Sequence, residues 1–370
     1  MGEPATIAAR VAEQFEANLP AELGAAVAVY LDGEEVVSLA GGFTTREREH
    51  PWTTTTLAPV YSATKGPAAA CVLLALHDHG LEPDTAVARV WPKLPPHLTI
   101  AELLSHQGGL AALDRAADVF DHEDVVTALE EQTAAWGPPE HGYHPRTFGC
   151  LADELVRRLT GAPSLGNYWR EAIAGPHGID FWIGLPESEH HRVATLIPGR
   201  PDIAPDEAEF YRAFNDTRSE VRRAFLSPRG LHSVAEMNQP RAWMAGLPGF
   251  GGIGSAAGLA RFYGLLACGK ILPAPALAWA RRRLVNGPDR ILRLPTAFSC
   301  GFMLDPLDGS GNKIRCHFGS GHDAFGHPGA GGSHAFADPA RRLGFAYVMN
   351  QMALAVLPHD RALKLVAALE

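Results

Sequence analysis

The sequence predicts an α+β fold, in which one antiparallel sheet flanked by helices lies beside a mostly helical region. Strand patterns are confined to the two ends of the chain, at 25–40 and 297–350, and helical patterns dominate between them. Strands from both ends can join one antiparallel sheet that packs against helices. We therefore expect an α/β subdomain made of residues 1–75 and 245–370, a mostly helical subdomain made of residues 76–244, and an active site between the two.

The first hundred residues contain a short hairpin between two helices. In chain order we predict a helix at 6–19, strands at 25–30 and 35–40, a helix that opens at Ser62, and a proline-rich connection at 81–96. Asp32 and Gly33 lie between the two strands, and an Asp-Gly pair favours a tight hairpin turn. The apolar run from Pro67 to Leu76 supports the helix after Ser62.

The rest of the chain is helical first and returns to strands near its end. We predict helices at 98–105, 122–133, 148–159, 205–214, 218–225, 255–266 and 273–285, strands at 297–304, 332–337 and 344–350, and a last helix at 358–369. The helix at 255–266 follows a glycine-rich turn, and Asp338 and Pro339 lie in the turn between the last two strands.

Composition excludes several classes of protein. A chain of 370 residues with 46% hydrophobic content can bury a large core. Its net charge of −9 argues against a nucleic-acid surface, so no nucleic-acid partner is expected. Five widely spaced cysteines without a Cys-x-x-Cys pair favour reduced thiols over disulfides or a zinc site. The histidine clusters lack the spacing of a metal-ligand set, so we expect neither a metal nor another cofactor.

No membrane association is expected. No stretch approaches 18 consecutive apolar residues, which a membrane-spanning helix would need. The first residues have neither a basic segment nor an apolar core, so we expect no signal peptide and a cytoplasmic location.

A Ser-x-x-Lys motif, Ser62-Ala63-Thr64-Lys65, opens the second predicted helix. Three residues are just under one helical turn, so Ser62 Oγ and Lys65 Nζ can lie on one face. A serine hydroxyl needs a base to take its proton, and a buried lysine with a lowered pKa can be that base. The motif also occurs by chance at a helix cap whose lysine is solvated. Alone, it therefore leaves both interpretations open.

Two later motifs support the catalytic interpretation. Tyr143 precedes a mid-chain helix, and His327-Pro328-Gly329 precedes a late strand. Ser-x-x-Lys, Tyr and [Lys/His]-x-Gly in this order resemble the penicillin-recognising serine enzymes, namely class C β-lactamases, D-alanyl-D-alanine peptidases and β-lactamase-like carboxylesterases. The segments at 100–110 and 249–269 are also similar to stretches of that superfamily, so the resemblance extends over nearly the whole chain.

The resemblance implies a β-lactamase/transpeptidase-like fold and a role for each matched residue. Ser62 would be the nucleophile, and Lys65 and Tyr143 would transfer protons. The backbone N–H groups of Ser62 and Ala330 would form the oxyanion hole. Gly329 would let the backbone approach the substrate closely.

The chain departs from the superfamily pattern at two positions that bear on the substrate. Pro145 stands where lactamases and peptidases carry Asn or Ser, so a side-chain donor to a substrate amide is absent. His327 stands where lactamases carry lysine, and a histidine that is neutral near pH 7 would bind a substrate carboxylate less well. His144, beside Tyr143, would contact the substrate, support Tyr143 or lie at the surface.

These observations predict a serine hydrolase that cleaves small carboxylic esters through an acyl-enzyme on Ser62. Three alternatives remain open: an acyltransferase of natural-product metabolism that passes the acyl group to an alcohol or amine, a β-lactamase or D-amino-acid peptidase, and a non-catalytic scaffold. The scaffold is disfavoured because Ser62, Lys65 and Tyr143 are all present. The lactamase and peptidase are disfavoured by Pro145 and His327.

Overall fold

The computed structural model describes residues 3–95, 97–199 and 203–370. Pro96, at the end of the predicted proline-rich connection, lies outside the described residues. The helices are α1 (Glu3–Asn18), α2 (Lys65–Asp78), α3 (Ile100–Leu104), α4 (His122–Glu131), α5 (Thr147–Thr160), α6 (Leu165–Tyr168), α7 (Ala208–Asn215), α8 (Glu220–Leu226), α9 (Val234–Met237), α10 (Pro240–Met244), α11 (Ala256–Ala267), α12 (Ala274–Arg281) and α13 (Asp360–Ala367). The strands are β1 (Gly24–Leu31), β2 (Glu34–Gly42), β3 (Ala58–Pro59), β4 (Phe181–Ile183), β5 (Gly252–Gly254), β6 (Val285–Pro288), β7 (Pro295–Phe298), β8 (Met303–Leu304), β9 (Phe325–Pro328), β10 (His334–Asp338) and β11 (Leu343–Met349).

Strands from both ends of the chain form one antiparallel sheet. Within the described residues it has eight strands in the order β2-β1-β11-β10-β9-β8-β7-β6. β1 pairs with β11 from Ala25 opposite Met349 to Leu31 opposite Leu343. Asp32 and Gly33 have φ angles of 52° and 85°, the positive values that a tight hairpin turn between β1 and β2 requires. The predicted fold class is confirmed.

The two faces of the sheet are covered by different helices, because successive side chains of a strand point to opposite faces. Val27 and Val29 of β1 share a core with apolar residues of α1 and α13. Ala26 and Ala28 share a second core with residues of α2, α5 and α11. The sheet therefore lies between the terminal helices and a helical layer that includes α2. The subdomain boundaries at 75/76 and 244/245 stay a prediction.

Several elements differ from the predicted ones. The helix predicted at 273–285 ends at Arg281, because Val285 instead pairs with Phe298 in the sheet. The strand predicted at 297–304 is divided into β7 and β8 by a turn in which Gly301 has a φ of 87°. β3, β4, β5, β6 and β9 were not predicted. They are two to four residues long and contain glycine, proline or both in all but β4, so no alternating pattern marks them.

Two kinds of feature are absent from the part of the chain that the structure describes. None of its helices is both long and apolar enough to cross a bilayer. Nor do three or more of its His, Cys, Asp and Glu side chains come together in a way that could hold a metal ion.

Candidate active site

Ser62 lies in a 3₁₀ turn, Tyr61–Thr64, that leads directly into α2. The α-helix therefore begins at Lys65, three residues later than predicted. The turn is held against β5, because Gly252 N–H donates to Thr64 Oγ at 2.8 Å. Tyr61, just before the serine, has a φ of 47°, which residues other than glycine seldom adopt. This backbone leaves Ser62 half-buried while Lys65 is fully buried.

Lys65 Nζ has three polar neighbours. It lies 3.3 Å from Ser62 Oγ, 2.8 Å from the Pro145 carbonyl oxygen and 2.7 Å from the Gly249 carbonyl oxygen. Burial lowers the pKa of Lys65 well below its usual value, and the positive charge of Arg146 lowers it further. A neutral amine has two N–H groups and one lone pair. The two carbonyls accept the N–H groups, which leaves the lone pair for the proton of the Ser62 hydroxyl.

The Tyr143 ring lies beside the amine nitrogen of Lys65. Lys65 Nζ is 4.8 Å from the centroid of the Tyr143 ring. Burial raises the pKa of the Tyr143 hydroxyl well above its usual value, the nearby Ser62 hydroxyl partly opposes that rise, and the negative charge of Asp289 adds to it. The buried Tyr143 hydroxyl makes no hydrogen bond of ordinary geometry within the described residues. It is therefore a neutral phenol with a proton to donate.

Two residues to which the sequence analysis gave no role support the backbone around Tyr143. Asp289 accepts the Tyr143 N–H with its two carboxylate oxygens, at 3.0 and 3.2 Å. His106 accepts the His144 N–H at Nδ1, 3.2 Å away, and its carbonyl accepts the Gly142 N–H at 3.1 Å. His106 belongs to the family-like segment at 100–110, so a signal was present. Asp289 is a single carboxylate far along the chain and carries none.

His144 is fully buried and bonded within the protein. Its Nδ1 donates to the Gly142 carbonyl at 2.7 Å, and its Nε2 accepts the Leu110 N–H at 3.0 Å. Burial lowers the pKa of His144 to about 3, although the bond to Gly142 opposes this, so the ring is neutral. Both ring nitrogens are bonded within the protein, so neither is left for a substrate, and the residue is buried and not at the surface.

The turn after β9 lies against the turn that carries the nucleophile. A Cβ atom at Gly329 would come within 2.0 Å of the Val60 carbonyl oxygen, so only glycine allows this approach. The neighbouring N–H groups of Gly329, Gly331 and Gly332 all donate to backbone carbonyls. The Ala330 N–H donates to no atom of the described residues, as an oxyanion donor in the free enzyme should. Its role with Ser62 N–H stays a prediction.

His327 lies in β9, buried and uncharged. Its Nδ1 donates to the Pro328 carbonyl at 2.7 Å, so Nε2 carries the lone pair, and Nε2 has no partner among the described residues. Its ring centroid is 5.8 Å from that of Tyr143. Burial lowers the pKa of His327 well below its usual value, and the neighbouring Lys65 adds to this whenever it is protonated. An uncharged acceptor at this position is poorly suited to a substrate carboxylate.

A cavity near the nucleophile turn is not lined by Ser62, Lys65 or Tyr143. It measures about 620 Å³ and lies among α5, α6, β4 and residues 244–248. Phe120 and Leu247 line it and also pack in the small apolar cluster that includes Tyr61. The cavity and the nucleophile turn are therefore neighbours across this cluster.

The site combines Ser62 and Lys65 at the start of α2 with the buried Tyr143, beside the antiparallel sheet. This combination identifies the protein as having a serine hydrolase fold. The Beta-lactamase family model matches residues 12–369, and the chain belongs to that family.

The proteins that this chain resembles include named esterases and a penicillin-binding protein homologue. The chain is 32% identical to the esterase/beta-lactamase LipL of Mycobacterium tuberculosis, over 92% of this chain and 80% of that protein. The crystal structure of a family VIII carboxylesterase is 34% identical, with a TM-score of 0.85 over 98% of this chain and 96% of the other. A penicillin-binding protein homologue from Caulobacter crescentus is 35% identical, with a TM-score of 0.82 over the same shares.

Proposed function

We propose that this protein hydrolyses small carboxylic esters through an acyl-enzyme on Ser62. The observation that carries the proposal is the position of Lys65 Nζ, buried, 3.3 Å from Ser62 Oγ and bonded to two backbone carbonyls. A base in this state can accept the serine proton at neutral pH. The likeness to LipL and to the family VIII carboxylesterase supports an ester as the substrate.

The proposed reaction has two halves. Lys65 takes the Ser62 proton as Oγ attacks the ester carbonyl, and the N–H groups of Ser62 and Ala330 stabilise the oxyanion. Tyr143 donates its proton to the departing alkoxide, and the proton on Lys65 restores the phenol. Water then attacks the acyl-enzyme, gives its proton to the same groups, and releases the carboxylic acid with Ser62 regenerated.

Ester substrates without a carboxylate fit the site better than penicillins do. Pro145 offers only its carbonyl, which is already bonded to Lys65, so it cannot position a substrate amide through a side-chain donor. His327 presents the lone pair of Nε2, which would repel a carboxylate. Two further points stay with the proposal on sequence grounds: a cytoplasmic location, and the division of the chain at 75/76 and 244/245.

p-Nitrophenyl acetate or butyrate should give a higher kcat/KM than nitrocefin. A hydrogen bond to a charged group contributes roughly 1.5–3 kcal/mol, so its absence should cost nitrocefin about tenfold to a hundredfold in binding. His327→Lys is the matched variant. It should raise kcat/KM for nitrocefin and so reduce the difference between the two substrates. A wild-type preference for nitrocefin would refute the ester proposal. If the acyl group leaves Ser62 only when an alcohol or amine is added, the proposed function becomes acyl transfer and not hydrolysis.

The pH dependence of ester cleavage should follow the lowered pKa of Lys65. A protonated amine has no lone pair, so kcat/KM should fall only when the pH drops through that lowered pKa. The raised pKa of Tyr143 keeps the phenol neutral, so it should cause no loss of activity at neutral pH. Initial rates between about pH 5 and about pH 10 test this. Activity that rises steadily to about pH 10, the usual range of lysine, would show that the pKa of the base is not lowered and would refute a neutral Lys65 amine at neutral pH.

A further inference from the structure

Asp289 is a buried carboxylate in the turn between β6 and β7, and it is 3% exposed. It accepts the Ile291 and Leu292 N–H groups, each at 2.8 Å, and the Thr296 hydroxyl at 3.0 Å. These bonds close its own hairpin. Its remaining partner is the Tyr143 N–H, which comes from a segment 146 residues away in the chain. A buried charge is tolerated only when it is hydrogen-bonded in this way.

We propose that Asp289 is a positioning residue for the reaction, which holds the Tyr143 backbone so that the phenol faces Ser62 and Lys65. The inference rests on the proposed function, because it takes Tyr143 as the group that donates a proton to the leaving alkoxide.

The position of the phenol depends on its backbone and its ring, because no hydrogen bond of ordinary geometry holds its hydroxyl in the described residues. The β6–β7 hairpin supports both. Asp289 binds the Tyr143 N–H, and Arg290 N–H donates to the His141 carbonyl at 3.1 Å. Phe298 of β7 stacks on the Tyr143 ring, with centroids 6.0 Å apart and planes 8° apart. One hairpin of the sheet therefore orients the whole residue.

The polar chain behind Asp289 orients its second oxygen. Thr296 donates its hydroxyl proton to Asp289, so Thr296 Oγ is left to accept from His141 Nε2 at 2.9 Å. The donors all point at the Asp289 carboxylate, as a negative charge requires. That charge helps to raise the pKa of Tyr143 and so favours the phenol that the reaction needs.

Asp289→Asn tests the proposal, because it keeps the size of the side chain and removes the charge and one acceptor. We expect kcat for p-nitrophenyl butyrate to fall by about 10- to 100-fold, the scale of a misplaced catalytic group, with KM changed less than about twofold. Labelling of Ser62 by a fluorophosphonate should slow much less, because fluoride leaves without the proton that Tyr143 gives to an alkoxide. In a Tyr143→Phe background the same substitution should cost less than about threefold, because residues that act as a unit are not additive.

Asp305→Asn is the matched control. Asp305 is also a buried carboxylate, and it accepts the His317 and Phe318 N–H groups and pairs with Lys313 at 2.8 Å, but it does not touch the Tyr143 segment. This variant should melt at a lower temperature and keep its kcat.

An unchanged kcat in Asp289→Asn, or a full additional loss in the Tyr143→Phe background, would overturn the proposal. If Asp289→Asn fails to fold, Thr296→Val removes only the hydroxyl link and should lower kcat at constant KM. An unchanged kcat in Thr296→Val would then count against Asp289. Absence of labelling in the wild-type enzyme would defeat the ester-hydrolase proposal itself, whereas normal labelling together with an unchanged kcat in Asp289→Asn would defeat only this inference.

Discussion

Ser62→Ala should lower kcat for an aryl ester by on the order of 10⁵-fold or more, because no acyl-enzyme can form without the hydroxyl. Intact-mass analysis after treatment with a fluorophosphonate should show one adduct on the wild-type chain. Peptide mapping should place that adduct in the peptide that contains Ser62. The alanine variant should show none.

Ser219→Ala is a suitable control for the loss of a serine hydroxyl. Ser219 caps α8 by accepting the Arg222 N–H at 3.0 Å, and it has no contact with Lys65 or Tyr143. The control should be labelled as fast as the wild type, at a cost of roughly 1 kcal/mol in stability. Labelling that persists in Ser62→Ala would assign the nucleophile to another residue.

Lys65→Met should lower kcat by about 10²- to 10⁴-fold, the usual contribution of a general base, while KM changes little. The methionine fills the buried space but cannot take the proton of Ser62. It also leaves the Pro145 and Gly249 carbonyls without their donor, so a lower melting temperature should accompany the loss of activity. Steady-state kinetics and thermal melting of the same preparations measure the two effects separately.

Lys313→Met separates lost stability from lost chemistry. Lys313 is a mostly buried lysine that pairs with Asp305 at 2.8 Å and donates to the Gly319 carbonyl at 2.7 Å. Its replacement should lower the melting temperature by at least as much as Lys65→Met does, because Asp305 would be left buried without its partner. Its kcat should stay close to that of the wild type. A fully active Lys65→Met enzyme would remove Lys65 from the mechanism.

The long elements were predictable from the sequence because each has a local pattern. The hairpin of β1 and β2, which the Asp32-Gly33 turn marks, and the helix after Ser62 were found within a few residues of their observed limits. β9 was missed because Gly326 and Pro328 hide a strand that its neighbours β8 and β10 define. The predicted helix at 273–285 was too long for the same reason, because pairing with a neighbouring strand, β7, decides the conformation of Val285.

The candidate site was predictable only where side-chain types form an ordered motif. Ser62, Lys65 and Tyr143 do so, and the structure brings them together. The acceptors that orient the Lys65 amine are backbone carbonyls, which any residue supplies, so no sequence pattern reveals them. His144 looked like a site residue because of its neighbour, and only the fold shows its ring bonded to Gly142 and Leu110.

The meeting of Gly149 and Gly249 has a consequence for any library of random variants of this enzyme. A Cβ atom at Gly149 would lie 2.2 Å from the Gly249 nitrogen, so a single methyl group would push apart the two segments that supply carbonyls to Lys65. A variant with a side chain at Gly149 would keep every reactive side chain and yet should be inactive. Screens that rank positions by the chemistry of their side chains alone would overlook Gly149, although the close approach to Gly249 leaves no room for a side chain there.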